Sequence, residues 1–175
     1  MIMPGIIASS GGLATSFESI ATVTVGAGGS ATIDFTSIAS TYQHLQIRIR
    51  TKTTNSLDIN FRFNSDSGNN YTSHGIYGDG SSAQVITPYI GTSTGYVGYS
   101  PSINGASIID VLDYGSSSKY KTVRTLHGND NNGTGYIMLN SSVWMSTSAI
   151  TSVRLQVSTG TFEQYSSFAL YGVKA

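Results

Sequence analysis

The sequence predicts an all-β protein, a jelly-roll-like antiparallel β-sandwich preceded by an extended N-terminal arm. Three observations predict it. Apolar residues recur with a period of two in many short runs, as in strands with one buried and one wet face. About ten such runs follow one another at roughly 8–15-residue spacing, parted by Gly, Ser, Asn and Asp, which is the rhythm of a sandwich or barrel. No run carries a helical period, and no fixed-period repeat points to a propeller or β-helix. A jelly roll fits the strand count.

Residues 1–16 hold Gly, Ser and Ala with a few aliphatic residues, Ile2, Ile6, Ile7 and Leu13, and show neither period. They read as an extended arm, and residues 17–175 as the sandwich. Strand signals begin at Phe17, with Ile20, Ala21, Val23 and Val25. A Gly-rich turn follows at residues 26–29, and the chain returns as ATIDFTSI over residues 31–38.

Residues 44–63, HLQIRIRTKTTNSLDINFRF, hold two alternating runs. Leu45, Ile47 and Ile49 form the apolar set of the first; Leu57, Ile59, Phe61 and Phe63 form that of the second. Both sets are odd-numbered, so a hairpin between them needs a three-residue loop, Thr53 to Asn55. That register pairs Ile49 with Ile59, Ile47 with Phe61 and Leu45 with Phe63, and sets Arg50 opposite Asp58. The sequence therefore predicts a central hairpin here.

An Asn/Ser/Asp/Gly loop occupies residues 64–70, and weaker strands fall near 71–77 and 83–90. Residues 91–105, GTSTGYVGYSPSING, read as a long loop. Strong alternation resumes over residues 107–114 and 120–127. Runs at 136–145, 150–157 and 167–174 follow. Trp144 lies amid apolar residues and reads as core.

Composition narrows the function. Only 10% of residues are charged, against about 25% in an ordinary globular protein. The formal net charge is zero, so there is no electrostatic footprint for nucleic acid or an anionic membrane. With 39% apolar residues, 11 Tyr and 6 Phe, the chain can build a core. It has no Cys, hence no disulfide and no thiolate metal site. The first fourteen residues lack the basic region of a signal peptide, and no apolar run approaches the ~20 residues of a membrane helix.

Chemical motifs are weak. Gly91 to Gly95 matches G-x-S-x-G, but the residues after it cannot form the helix that a nucleophile elbow needs. His44, His74 and His127 show no ligand spacing. The loops at residues 66–70 and 129–133 are rich in oxygen ligands but lack the calcium-loop pattern, and their Asn and Asp suit turns. Asp110 and Asp113, three apart on one predicted strand, point to opposite faces and make a poor glycosidase pair. We expect no catalytic residue, no metal and no cofactor. Tyr89, Tyr96 and Tyr99 cluster around the long loop and form a possible contact surface for sugar or protein.

Three stretches carry a resemblance. The ending over residues 162–174, FEQYSSFALYGVK, looks like the closing strand of small virion proteins of tailed bacteriophages, cyanophages and marine phages above all. The opening over residues 20–29, IATVTVGAGG, is similar, as is FTSI at 35–38 running into YQHL at 42–45. The resemblance spans roughly residues 17–175 and rests on structural motifs. It implies a β-sandwich and a structural, decoration (cement) or tail-fibre role. The function expected is a capsid decoration protein on the outer surface of the virion. It would bind the major capsid protein and stabilise its lattice as a homo-oligomer, a trimer by the resemblance. Ile2, Ile6, Ile7 and Leu13 would serve as its anchor. A tail-fibre or tail-tip module binding a host glycan through Tyr89, Tyr96 and Tyr99 is the alternative, although the chain has no room for a fibre shaft.

Overall fold

The computed structural model describes residues 16–55, 58–95, 97–98, 103–130 and 132–174. Residues 1–15 of the expected arm, with Ile2, Ile6, Ile7 and Leu13, lie outside the described residues, as do Tyr96 and Tyr99. Eleven strands run in chain order: β1 (Phe17–Thr24), β2 (Thr32–Phe35), β3 (His44–Thr51), β4 (Ile59–Phe63), β5 (Tyr71–Gly78), β6 (Ala83–Gly91), β7 (Gly105–Val111), β8 (Lys121–Asp130), β9 (Gly135–Trp144), β10 (Val153–Val157) and β11 (Ser167–Val173). No helix occurs among the described residues.

The strands form an antiparallel sandwich of unequal layers. The large sheet has the order β1-β11-β3-β7-β8-β9-β5-β6, and the small sheet has the order β2-β10-β4. They divide eight and three, not into two matched four-stranded sheets. Alternation explains the packing. In the small sheet Phe35, Val153 and Phe63 stand in one row, and Ile33, Leu155 and Phe61 in the next. In the large sheet Leu170, Ile47 and Ile109 form one row, and Gly172, Leu45 and Val111 another. All these side chains are buried in one core, where each large apolar group contributes roughly 1.5–3 kcal/mol. Trp144 belongs to that core, its ring 5.5 Å from Phe63. Gly172 is bare because the Tyr42 ring lies against it; a Cβ there would come 2.2 Å from that ring.

The central hairpin does not form. β3 pairs with β11 and β7, while β4 lies in the other sheet beside β10. Ile49, Ile47 and Leu45 and their expected partners Ile59, Phe61 and Phe63 all enter the one core, but from opposite sheets and not as neighbours along one. Equal parity in two runs is satisfied both by edge-to-edge pairing and by face-to-face packing, so parity could not choose. Residues after Thr51 cross between the layers: Thr53 bridges Phe162, and the Thr54 amide donates to the Thr161 carbonyl at 3.0 Å. Arg50 accordingly meets the Tyr165 carbonyl, at 2.6 Å, and not Asp58.

Two loops complete the frame. The segment after β6 runs along the free edge of β4 instead of standing away as a loop. Thr94 and Val97 donate their amides to the Phe61 and Ile59 carbonyls at 3.1 and 2.8 Å, and Ile59 donates back to Gly98 at 3.1 Å. This covers a strand edge that would otherwise offer unpaired backbone groups. In the loop at residues 66–70, the Asp66 carboxylate accepts from Trp144 Nε1 at 2.7 Å, Asn70 Nδ2 at 3.0 Å and the Gly68 amide at 2.9 Å. That oxygen-rich segment is a self-bonded turn, with its acceptors already met by donors.

Candidate functional site

The large sheet outruns the small one. At ~4.8 Å per strand, eight strands span about 38 Å and three about 14 Å, so part of the inner face has no opposing layer among the described residues. The rows show where cover ends. One runs Gly172, Leu45, Val111, Val123 and then turns polar at Ser142, Ser73 and Tyr89. Beneath this overhang of β9, β5 and β6 lies a cavity of about 700 Å³.

Three tyrosines line it: Tyr77 on β5, Tyr89 on β6 and Tyr136 on β9. The Tyr77 and Tyr136 rings stand 6.1 Å apart, tilted by 49°. Tyr89 is 43% exposed, and its hydroxyl donates to the Ser93 carbonyl at 3.4 Å. The opposite wall comes from the chain around β4, with Asp58 and Asn60, and from Ser93 to Gly95. Burial pushes the Asp58 carboxyl pKa up. Two buried polar atoms on this lining, Asn60 Oδ1 and Ser73 Oγ, have no hydrogen-bond partner. Ser73 is 3% exposed and sits under Gly95, where a Cβ would come 2.2 Å from its hydroxyl oxygen. Buried polar groups are almost always paired, so two on facing walls of one cavity mark it as a site rather than a packing gap.

The other singled-out residues fall elsewhere. Ser93 of the G-x-S-x-G match is buried at the cavity edge, and the described residues after it follow β4 without a helix. His44, His74 and His127 lie on three different strands, and no group of three metal-ligating side chains converges among the described residues. His44 Nδ1 accepts the Asp113 amide at 3.0 Å. Asp110 meets Arg124 at 2.7 Å on the outer face, and Asp113 meets Lys119 at 3.3 Å in the following turn. In both, hydrogen bonds to neighbouring side chains hold the carboxyl below its ordinary value, outweighing burial in Asp110. His127 and Ser107, 2.9 Å apart, form a polar pair that sequence spacing did not show. They are sealed beneath Gly98, whose Cβ would come 3.3 Å from Ser107 Oγ.

A second surface emerges on the opposite side of the same sheet. Ile108, Leu126, Leu139, Ile76 and Val85 stand in one row across β7, β8, β9, β5 and β6. They are 43% to 72% exposed. Ile137 and Ile90, on flanking rows, are 62% and 67% exposed. Comparison with known proteins returns no matching family model, no matching curated protein and no matching solved structure.

Proposed function

We propose that the chain is a virion structural protein of the decoration (cement) type, which self-associates through the outer face of its large sheet and reinforces a capsid lattice. The observation that carries the reading is the exposed five-residue apolar row from Ile108 to Val85. With its flanking rows it makes a patch on the order of 500 Å² by strand geometry, at the upper end of what monomers expose. A standard interface needs about 800 Å² per partner, so a second copy of this face gives a burial of the right order. The charges between the rows favour such a partner. Asp110 and Arg124 neutralise each other at 2.7 Å, and Arg48, beside Ile108, is stacked over the Phe17 and Tyr171 rings.

The virion setting is supported by the resemblance of residues 20–29, 35–45 and 162–174 to small phage virion proteins. Ile2, Ile6, Ile7 and Leu13 would then supply the lattice anchor. Burial of four aliphatic side chains yields roughly 1.5–3 kcal/mol each, while ordering the arm costs about 1–2 kcal/mol per residue. One arm binds weakly, and several arms on a repeating lattice bind well. Face-to-face sheet packing favours pairs, whereas the resemblance implies trimers. The test has two parts. Light scattering on the purified protein reads the mass, and a monomer at micromolar concentration counts against the self-association. Imaging of labelled intact particles reads the place: regular positions on the head support decoration, and a few copies at the tail replace it with the tail reading.

A further inference from the structure

The cavity under the overhang is built from two chemistries. Acceptors come from both walls: Asn60 Oδ1 and the Asp58 carboxylate from the chain around β4, and the Ser73 hydroxyl from β5. The wall formed by the large sheet also offers the rings of Tyr77, Tyr89 and Tyr136. A ligand that satisfies the first must donate hydrogen bonds, and one that satisfies the second must present an apolar face. No Lys or Arg lines the cavity among the described residues, so nothing there would compensate an anion. A pyranose has hydroxyl donors around its rim and a C–H face on its ring, and so meets both demands without charge. The volume falls within the range of about 300–1,000 Å³ usual for small-molecule sites.

We propose that this cavity is a binding site for a neutral hexopyranose sugar, held against the tyrosine rings with its hydroxyls donating to Asn60, Asp58 and Ser73. The unpartnered Asn60 and Ser73 atoms are the decisive observation, since a fold with no ligand to receive gains nothing by burying them unpaired. The site lies on the inner face of the overhang and shares with the apolar row the edge-strand residue Val85, so it goes beyond the decoration reading and is compatible with either place on a particle.

Saturation-transfer NMR on the full chain tests this, with D-glucose, D-galactose, D-mannose and N-acetyl-D-glucosamine each at millimolar concentration. Irradiating the tyrosine resonances is expected to saturate the ring C–H protons of at least one sugar. Two variants place the contact. Tyr89→Ala removes a half-exposed ring and is expected to weaken binding about three- to tenfold. Thr87→Trp, at an exposed position on the cavity rim, is expected to abolish it by filling the entrance. Circular dichroism checks that each variant folds, and Thr87→Trp carries the test if Tyr89→Ala does not. Absence of saturation with all four sugars overturns the proposal. So does undiminished saturation in Thr87→Trp, which would put the sugar elsewhere. A diamine probe, cadaverine, that saturates while the sugars do not would make the cavity a cation site instead.

Discussion

Ser73 shows how one hydroxyl carries two opposed effects. It is buried on the inner face of β5 with no hydrogen-bond partner, which costs about 1–3 kcal/mol of desolvation. Ser73→Ala removes that cost at almost no change in volume. The variant is expected to be more stable by about 1 kcal/mol, read as a higher midpoint in urea unfolding, and to bind sugar more weakly. A loss of stability would mean that the hydroxyl is satisfied and the cavity argument weaker. Lys121 is the opposite case. Its side chain is fully buried, yet its ammonium donates to the carbonyls of Lys119, Ser146 and Thr147 at 2.7, 3.4 and 3.2 Å and lies 6.0 Å from the Trp144 ring centre. Burial pushes its pKa down, but the carbonyls stand in for water. Lys121→Met fills the space and leaves those acceptors without their donor. We expect about 2–3 kcal/mol of destabilisation, measured by the same urea midpoint; a neutral result would show the carbonyls to be solvated.

At the scale of elements, the β5–β6 hairpin is the most exposed part of the frame, because β6 is an edge strand with a nearly uncovered surface. Its tip depends on Asp79. That carboxylate accepts from the Ser81 and Ser82 amides at 2.9 and 2.8 Å and from both hydroxyls, while Gly80 takes a φ of +88° that other residues rarely adopt. The amide bonds lower the Asp79 pKa from 3.8 to about 2. A lowered folded-state value stabilises the fold above the unfolded value and loses that effect as pH falls from 3.8 to about 2. The Ser81 and Ser82 amide shifts should therefore titrate near pH 2, and Asp79→Ala should remove the transition and speed hydrogen exchange at the tip. A midpoint near 4 would mean that the cap is not formed. Strand existence was legible throughout: the alternation of ITSVRLQV and SFALYGVK marks β10 and β11 from residues alone. Strand partnership was not. The TKTTNS segment looks like a hairpin turn, and only the bonds of Thr53 and Thr54 to residues 161–162 show it to be a crossing between layers.

For the whole molecule, the outer face of the large sheet and the overhang on its inner face are two surfaces with no opposing layer among the described residues. Leu126 and Leu139 are directly paired neighbours in the apolar row, 48% and 44% exposed. Replacing both with Lys places two like charges at the centre of any stacked interface, where desolvated charge is costly. Light scattering should then give a monomer where the parent protein gives a larger mass. The urea midpoint should move by no more than about 0.5 kcal/mol per exposed substitution. An unchanged mass would move the interface off this face. A monomeric variant with sugar binding intact would establish that the two surfaces work independently.

The alternation of side chains by itself determined that this protein is an antiparallel β-sandwich, because a period of two records which face of each strand is buried, and that record is local. It also marked the strand that begins at Phe17, and Trp144 as core. Of the proposed contact tyrosines, Tyr89 lies on the cavity, whereas its partners there, Tyr77 and Tyr136, are 59 residues apart in sequence and were not seen as a pair. Only the tertiary structure decided that the layers are eight and three, and this single inequality makes the site. Among the described residues it leaves the polar ends of the inner rows without an opposing layer, so Ser73 faces a cavity rather than a core, and Asn60 of β4 lines the facing wall. It also aligns Ile108, Leu126, Leu139, Ile76 and Val85, which come from five separate strands, into one exposed row. Strand order and register are set by contacts between distant segments, and the local period of a strand is the same whichever neighbour it takes.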